Sequence, residues 1–446
     1  MHTCRKWRLI VFAYRLALQL RLFCTQRTPV LKSLDCWPAT LPIVVKYGGS
    51  PELDPPAPED ESNIIAALKR SDRVTSISLT ITSSFLEKLS EIRVKMSFSK
   101  LEDLVLFSPD CLPNTLIETF QLSPCLRRLY LNRIAVPAPF QLHRFFMNLV
   151  DLRLHDILYP PLISPETLAK ALSWMGQLRS FSFHFPPTVT YHAQPPSSEE
   201  LALPVLTRLD FRGIPEYLGD FMARIRAPCL VDIEVTLFDI SAPGLSILRR
   251  LIDRIEMNKS LCRAHILSSE RAISMSLLKL GSPTLIKFQI LCERFGEQIS
   301  ILSQICRHFL ALLSEVEDLR ISVTGQLRPE VTHQKMRTEW EDPIASFTSV
   351  KWLYLYGNPG NWINIIRPLQ GFIGEYEAFA VLPALLKLYI SQPGSHDAPL
   401  REAVDGLVGS RRTFGRPIVV EYKQLRHISE PHGAGTLYAN YRLTTR

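Results

Sequence analysis

A chain of 446 residues with 46% hydrophobic and 21% charged residues can bury a large core, which excludes a wholly disordered protein. Its net charge of +8 is carried at the ends: residues 1–34 hold seven basic residues and no acid, and residues 411–446 hold seven basic and two acidic residues. With +7 and +5 at the termini, residues 35–410 are left at −4, so a basic stripe along the body, the footprint of a nucleic-acid binder, is excluded.

Taken in chain order, the first apolar stretches, Leu9–Tyr14 and Leu16–Leu20, are interrupted by Arg15 and Arg21. They make neither a signal-peptide core nor a membrane span. An Arg-rich, acid-free start also fits a mitochondrial presequence. A Pro- and acid-rich stretch from Pro51 to Glu61 reads as a connector.

From Val74 onward one six-residue phrase recurs ten times: an apolar residue, two variable ones, an apolar residue, a variable one and an apolar residue. Its clearest copies are Leu126–Leu131, Leu149–Leu154 and Leu206–Phe211; others start at Val74, Leu101, Leu178, Leu230, Val316, Val350 and Leu385. Starts from Leu101 to Leu230 lie 25, 23, 29, 28 and 24 residues apart, the period of leucine-rich repeats. Because strand side chains alternate between faces, Leu129 and Leu131, Leu152, and Leu209 point to the core. One strand with its helix cannot bury its apolar side alone, so neighbours stack. The expected fold is therefore an α/β solenoid, a horseshoe with a parallel sheet on the concave face.

Between phrases, helical periodicity is legible. Ser164 caps a helix opening at Pro165, with Leu168, Leu172 and Met175 on one face. Pro215 opens another, with Leu218, Phe221, Met222 and Ile225 as its inward stripe. Leu248, Leu251, Ile252 and Ile255 make a third, and Leu400, Ala403, Val404, Leu407 and Val408 the last. Pro186–Glu200 reads as a surface insertion. The resulting division is 1–40 N-terminal helical segment, 41–72 connector and first helix, 73–257 regular repeats, 258–315 irregular repeats, 316–425 C-terminal repeats and 426–446 disordered tail.

Phosphate-binding GxxxxGK[ST], GxSxG and HExxH patterns are missing, so no catalytic residue, no enzyme activity and no cofactor is expected. Nine cysteines occur without CxxC pairs, so no metal site is expected either, and buried reduced thiols of an intracellular protein are. Outward positions of the phrase form the expected binding face: Arg128 and Tyr130, Asp151 and Arg153, Arg208 and Asp210, and Trp352 and Tyr354, of which the aromatic pair is the strongest candidate. Asp103 and Val105, Asp232 and Glu234, Asp318 and Arg320, and Lys387 and Tyr389 stand at the same positions.

His2-Thr3-Cys4-Arg5-Lys6-Trp7-Arg8-Leu9-Ile10-Val11 resembles the closing half of an F-box, and the likeness continues through Leu20–Thr25 and Trp37-Pro38. Together with "LTRLDFRGIPEYLGDFMARIRAPCL", "VEDLRI" and "LPALLKLYI", it makes the chain similar to the F-box and leucine-rich-repeat-like proteins of mushroom-forming fungi, from about His2 to Tyr422. The resemblance implies a helical F-box remnant at the N-terminus, with Cys4, Trp7, Leu9 and Val11 facing a Skp adaptor. It further implies a substrate receptor of a Skp-cullin-F-box ubiquitin ligase in the cytoplasm or nucleus, with an unknown protein substrate held by the repeats and neither nucleic acid nor membrane as partner. The family's opening F-box helix precedes the position of Met1, so this chain is expected to capture the adaptor weakly or not at all. A repeat scaffold with no ligase link is the other reading.

Overall fold

In the computed structural model the described residues are 18–47, 56–92, 98–112, 123–135, 147–157, 163–187, 191, 200–238, 247–249, 251, 262–279, 285–292, 295–324, 340–357, 359–370, 381–391 and 398–423. The chain forms two units, one of Met1–Asn258 with Gly281–Leu291 and one of Lys259–Leu280 with Cys292–Arg446.

The first unit is built on strands β1 (Leu20–Phe23), β2 (Ile43–Lys46), β3 (Val74–Thr80), β4 (Asp103–Leu112), β5 (Arg128–Ile134), β6 (Asp151–His155), β7 (Ser180–His184), β9 (Arg208–Gly213), β11 (Asp232–Phe238) and β14 (Leu285–Leu291). They pair in that order and all in parallel. A separate parallel pair joins β8 (Leu201–Ala202) to β10 (Ile225–Arg226). Helices α1 (Val30–Cys36), α2 (Pro58–Leu68), α3 (Ser83–Ile92), α4 (Pro165–Ser173) and α5 (Pro215–Ala223) lie between strands in the chain.

In the second unit, β12 (Arg263–Ser268) pairs antiparallel with β13 (Ala272–Leu278) and parallel with β15 (Asp318–Val323). From there β16 (Trp352–Gly357), β17 (Lys387–Ser391) and β18 (Val419–Lys423) follow in parallel. Its described helices are α6 (Phe295–His308), α7 (Leu310–Leu313), α8 (Pro359–Leu369) and α9 (Ala398–Thr413).

Each of the ten phrases holds a strand, and in nine the strand begins at the third position of the phrase. The cause is a repeated hydrogen-bond device. The carbonyl of position two accepts from the amides of positions two and three of the next repeat: Glu102 from Arg127 and Arg128, Arg127 from Val150 and Asp151, Val150 from Arg179 and Ser180, Arg179 from Thr207 and Arg208. In the second unit Cys262, Glu317 and Lys351 do the same for Glu317 and Asp318, Lys351 and Trp352, and Leu386 and Lys387. Every repeat thereby enters its strand in the same register, which carries the apolar positions four and six inward as one layer. Leu129, Leu152 and Leu209 are at most 3% exposed, and the phrase-opening Leu126, Leu149 and Leu206 are buried with them.

Several expectations need correction. Among the described residues of 1–40, expected to be helical, Leu20–Phe23 is a strand paired with β2 and Val30–Cys36 is a helix. The alternation of Leu20, Leu22 and Cys24 with Arg21 and Phe23 is a strand period, and Leu22 and Cys24 are its buried members. Cys4, Trp7, Leu9 and Val11 lie outside the described residues, as does 426–446. The wholly parallel sheet is broken by the β12–β13 hairpin. α5 stops at Ala223, after which Ile225, assigned to its stripe, is a buried strand residue. Ile252 and Ile255 of the third stripe lie outside the described residues. Among the cysteines, Cys24 and Cys306 are buried, and burial pushes the Cys24 thiol up to about 12, but Cys36, Cys125 and Cys229 are exposed.

α4 begins as the sequence suggests: the Ser164 hydroxyl accepts from the Thr167 amide at 3.1 Å, and Leu168 and Leu172 are buried. Tyr217 on α5 is buried beneath Phe183, Phe185 and Phe211, and its hydroxyl donates to the Ile163 carbonyl at 2.7 Å. Of Pro186–Glu200, Tyr191 is held by that cluster: its ring meets Tyr217 edge-on at 5.2 Å and its hydroxyl donates to Asp220 at 2.7 Å.

Candidate functional site

Parallel pairing at constant register turns the variable positions of the phrase into rows that cross the strands. In the first unit position three brings Asp103, Arg128, Asp151, Ser180, Arg208 and Asp232 side by side, and position five brings Val105, Tyr130, Arg153, Ser182, Asp210 and Glu234. A further row, at position seven, holds Phe107, Asn132, His155, His184, Arg212 and Thr236. These rows lie on the face away from the core.

Much of that face is paired with itself. Arg128 donates to both carboxylate oxygens of Asp103, Arg153 to Asp151 at 2.9 Å, and Arg208 reaches Asp232 at 3.3 Å and Glu234 at 3.8 Å. Lys287 on β14 meets Glu234 at 3.1 Å. Pairs this exposed stabilise by at most about 1 kcal/mol, and Arg128, 62% exposed, keeps most of its surface available to another molecule. The expected residues Arg128, Asp151, Arg153 and Arg208 are therefore neighbours in an ionic lattice.

Tyr130 and Asp210 belong to a different assembly, whose other members sequence reasoning missed. His155 and His184 stack at 3.7 Å between ring centroids with 12° between planes, and Tyr130 meets His155 edge-on at 4.7 Å. The Ser182 hydroxyl oxygen lies 2.7 Å from His155 Nε2, 3.2 Å from His184 Nε2 and 2.9 Å from Asp210 Oδ2. His184 Nε2 is also 3.0 Å from Asp210 Oδ1, and Tyr130 Oη is 3.0 Å from His155 Nδ1.

The proton arrangement follows from valence. Asp210 can only accept while ionised, so Ser182 donates to it; the serine oxygen then accepts from both imidazole Nε2–H groups, and Tyr130 donates to the bare Nδ1 of His155. Burial, then the neighbouring His184, holds His155 down at about 2, so this imidazole is neutral. Burial alone would raise Asp210, but hydrogen bonds from His184 and Ser182 outweigh it and set the carboxyl at about 2. Burial pushes the Tyr130 phenol up to about 12.

This constellation holds serine, histidine and aspartate without the order of a nucleophilic relay. His184 turns the same nitrogen to Ser182 and to Asp210, and the far nitrogen of His155 faces a tyrosine. What it offers is a ring of nitrogen and oxygen donors about one point: the ligand atoms of His155, His184 and Asp210 all lie within 4.8 Å of one another. The sequence signal was present but lay one step past the phrase, since His155 and His184 occupy the seventh position and the phrase ends at the sixth.

In the second unit Trp352 and Tyr354 alternate along β16 on its part-exposed face, in wider company. Tyr354 stacks on Tyr389 at 4.4 Å with 9° between planes, lies under the Arg320 guanidinium at 5.0 Å, and stacks more loosely with Tyr356 at 6.5 Å. Register places Trp352 between Asp318 and Lys387. Asp318 is the electrostatic anchor, taking Arg263 at 2.9 Å and Arg320 at 3.2 Å.

No family model matches this sequence, and no curated protein is similar to it. Matching solved structures include a protein of Bacteroides fragilis from a structural genomics consortium, 14% identical, with 79% of this chain and 76% of that chain covered and a TM-score of 0.29.

Proposed function

We propose that this chain is a non-enzymatic, protein-binding repeat protein of leucine-rich-repeat-like horseshoe form, acting in the cytoplasm or nucleus. The observation that carries this reading is the row Arg320, Tyr354 and Tyr389 flanked by Trp352: aromatic and guanidinium groups held flat on a rigid sheet, the residue types that dominate protein interfaces. Replacing Trp352 and Tyr354 together by Ser is expected to abolish capture of a protein partner, with roughly 2 kcal/mol or more lost per anchor. Unchanged capture would move the binding surface to the ionic lattice of Arg128 to Asp232. No described helix is long and apolar enough to cross a membrane.

The finer reading is a substrate receptor of a Skp-cullin-F-box ligase, supported by the resemblance of His2–Val11 to an F-box closing helix. Titration of the chain with purified Skp adaptor tests it. Weak or no binding is expected from this chain and firm binding from a version extended upstream with an F-box opening helix; tight binding by residues 1–446 overturns the incomplete-F-box argument, and failure of the extended version leaves the ligase-free scaffold.

A further inference from the structure

We propose that His155, His184 and Asp210 form a binding site for a divalent transition-metal ion on the outward face of the first unit. Two stacked imidazoles project from adjacent strands in register and a carboxylate enters from the strand beyond, so the three ligands come from three rigid β-strands with no loop among them. Two nitrogens and one carboxylate oxygen are a donor set suited to Zn²⁺ and its first-row neighbours. With bonds of about 2.0–2.2 Å, ligand atoms around a tetrahedral ion stand roughly 3.3–3.5 Å apart. Here they stand within 4.8 Å, and the closest pair, His184 and Asp210, is already at 3.0 Å. The three donors already surround one point, the Ser182 hydroxyl oxygen, at 2.7, 3.2 and 2.9 Å; an ion takes that place once the serine side chain rotates away and one imidazole turns out of the 3.7 Å stack, so that both ring lone pairs meet at the metal.

The surroundings fit a ligating histidine. Binding through Nε2 requires the proton of each imidazole on Nδ1, so both histidines exchange the tautomer they hold against Ser182; for His155, Tyr130 Oη stands 3.0 Å from Nδ1, ready to accept a hydrogen bond from it. The phenol proton displaced in this way has a destination. Asn132 is hydrogen-bonded to Tyr130, and its own side-chain oxygen is buried with no hydrogen-bond partner. Rotation of that amide lets its oxygen accept a hydrogen bond from the phenol, which keeps its proton. A filled site keeps a coordination position for water or for a carboxylate of a bound partner, and Ser182 stands beside it.

The test uses the full chain, stripped with chelator and with its cysteines alkylated, titrated with Zn²⁺ by calorimetry and with Co²⁺ by visible absorption. One ion per chain is expected, with d–d bands of a nitrogen–oxygen site and a higher melting temperature in the presence of metal. His184→Gln and Asp210→Asn are expected to weaken binding at least about tenfold. A second variant, Ser182→Cys, left unalkylated by masking with the metal, places a thiolate among the ligands and is expected to add a sulfur-to-cobalt charge-transfer band. Absence of Co²⁺ bands and of heat on Zn²⁺ addition overturns the proposal, as does undiminished binding in the Gln and Asn variants.

Discussion

Position eight of the phrase shows what a single residue decides. Arg133, Asp156 and Gly357 occupy it in three repeats and all have positive φ, 56°, 51° and 99°. The chain turns there through the left-handed region: β6 has ended one residue earlier, β16 ends on Gly357, and β5 continues one residue further to Ile134. Arg133 and Asp156 accept that strain; Gly357 lies further out, and a β-carbon on it would stand 2.3 Å from the Val323 carbonyl oxygen. Gly357→Ala is expected to destabilise the second unit by roughly 1–3 kcal/mol. Gly409, inside α9 with nothing within 4 Å of a β-carbon, is the control, where Ala should stabilise by about 0.5–1 kcal/mol. Urea denaturation of both variants checks the contrast, and equal effects would remove the strain argument.

At the scale of the element, the unit of construction is the strand with its inherited register. Leu152 stands between Leu129 and Phe181 in the inward layer, 3% exposed. Leu152→Ala is expected to cost roughly 2–5 kcal/mol through lost burial and the cavity left between rigid neighbours. A change within about 0.5 kcal/mol, measured by chemical denaturation, would place Leu152 outside the core. Buried polar contacts tie helices to this framework. Gln298 on α6 accepts from Ser268 at 2.9 Å and donates to the carbonyls of Ser269 at 3.0 Å and Cys292 at 3.2 Å, and Arg411 on α9 donates to the carbonyls of Val381 at 2.9 Å and Leu382 at 3.2 Å.

For the molecule as a whole, the question is whether the aromatic row binds or stabilises. Tyr354 is in stacking contact with Tyr389 and Arg320, so removing it forfeits an aromatic pair worth about 0.5–1.5 kcal/mol. The Trp352→Ser, Tyr354→Ser protein is therefore expected to melt a few degrees lower while remaining folded, since Leu353 and Leu355 between them keep the strand in the core. Binding loss far beyond the fraction unfolded is the expected signature of an interface. A large drop in melting temperature with undiminished capture by the folded fraction would assign the pair to the scaffold.

The ten strands of the phrase were legible because an apolar residue at positions one, four and six meets the demands of one buried strand face, and no tertiary information is needed to see it. β2, β14 and β18 were illegible for a local reason: by register their first positions are Pro42, Pro283 and Pro417, where the phrase requires a large apolar residue. β12 carries the small Ala264 at position four, and its antiparallel partner β13 has no repeat pattern to announce it. Expected outward residues were found outward, because alternation along a strand is a property of the chain itself. What joined Tyr130, His155, Ser182, His184 and Asp210 was the lateral register between four strands, set by the position-two carbonyls. That alignment brings together residues up to 80 positions apart in sequence, and it exists only once the strands have paired.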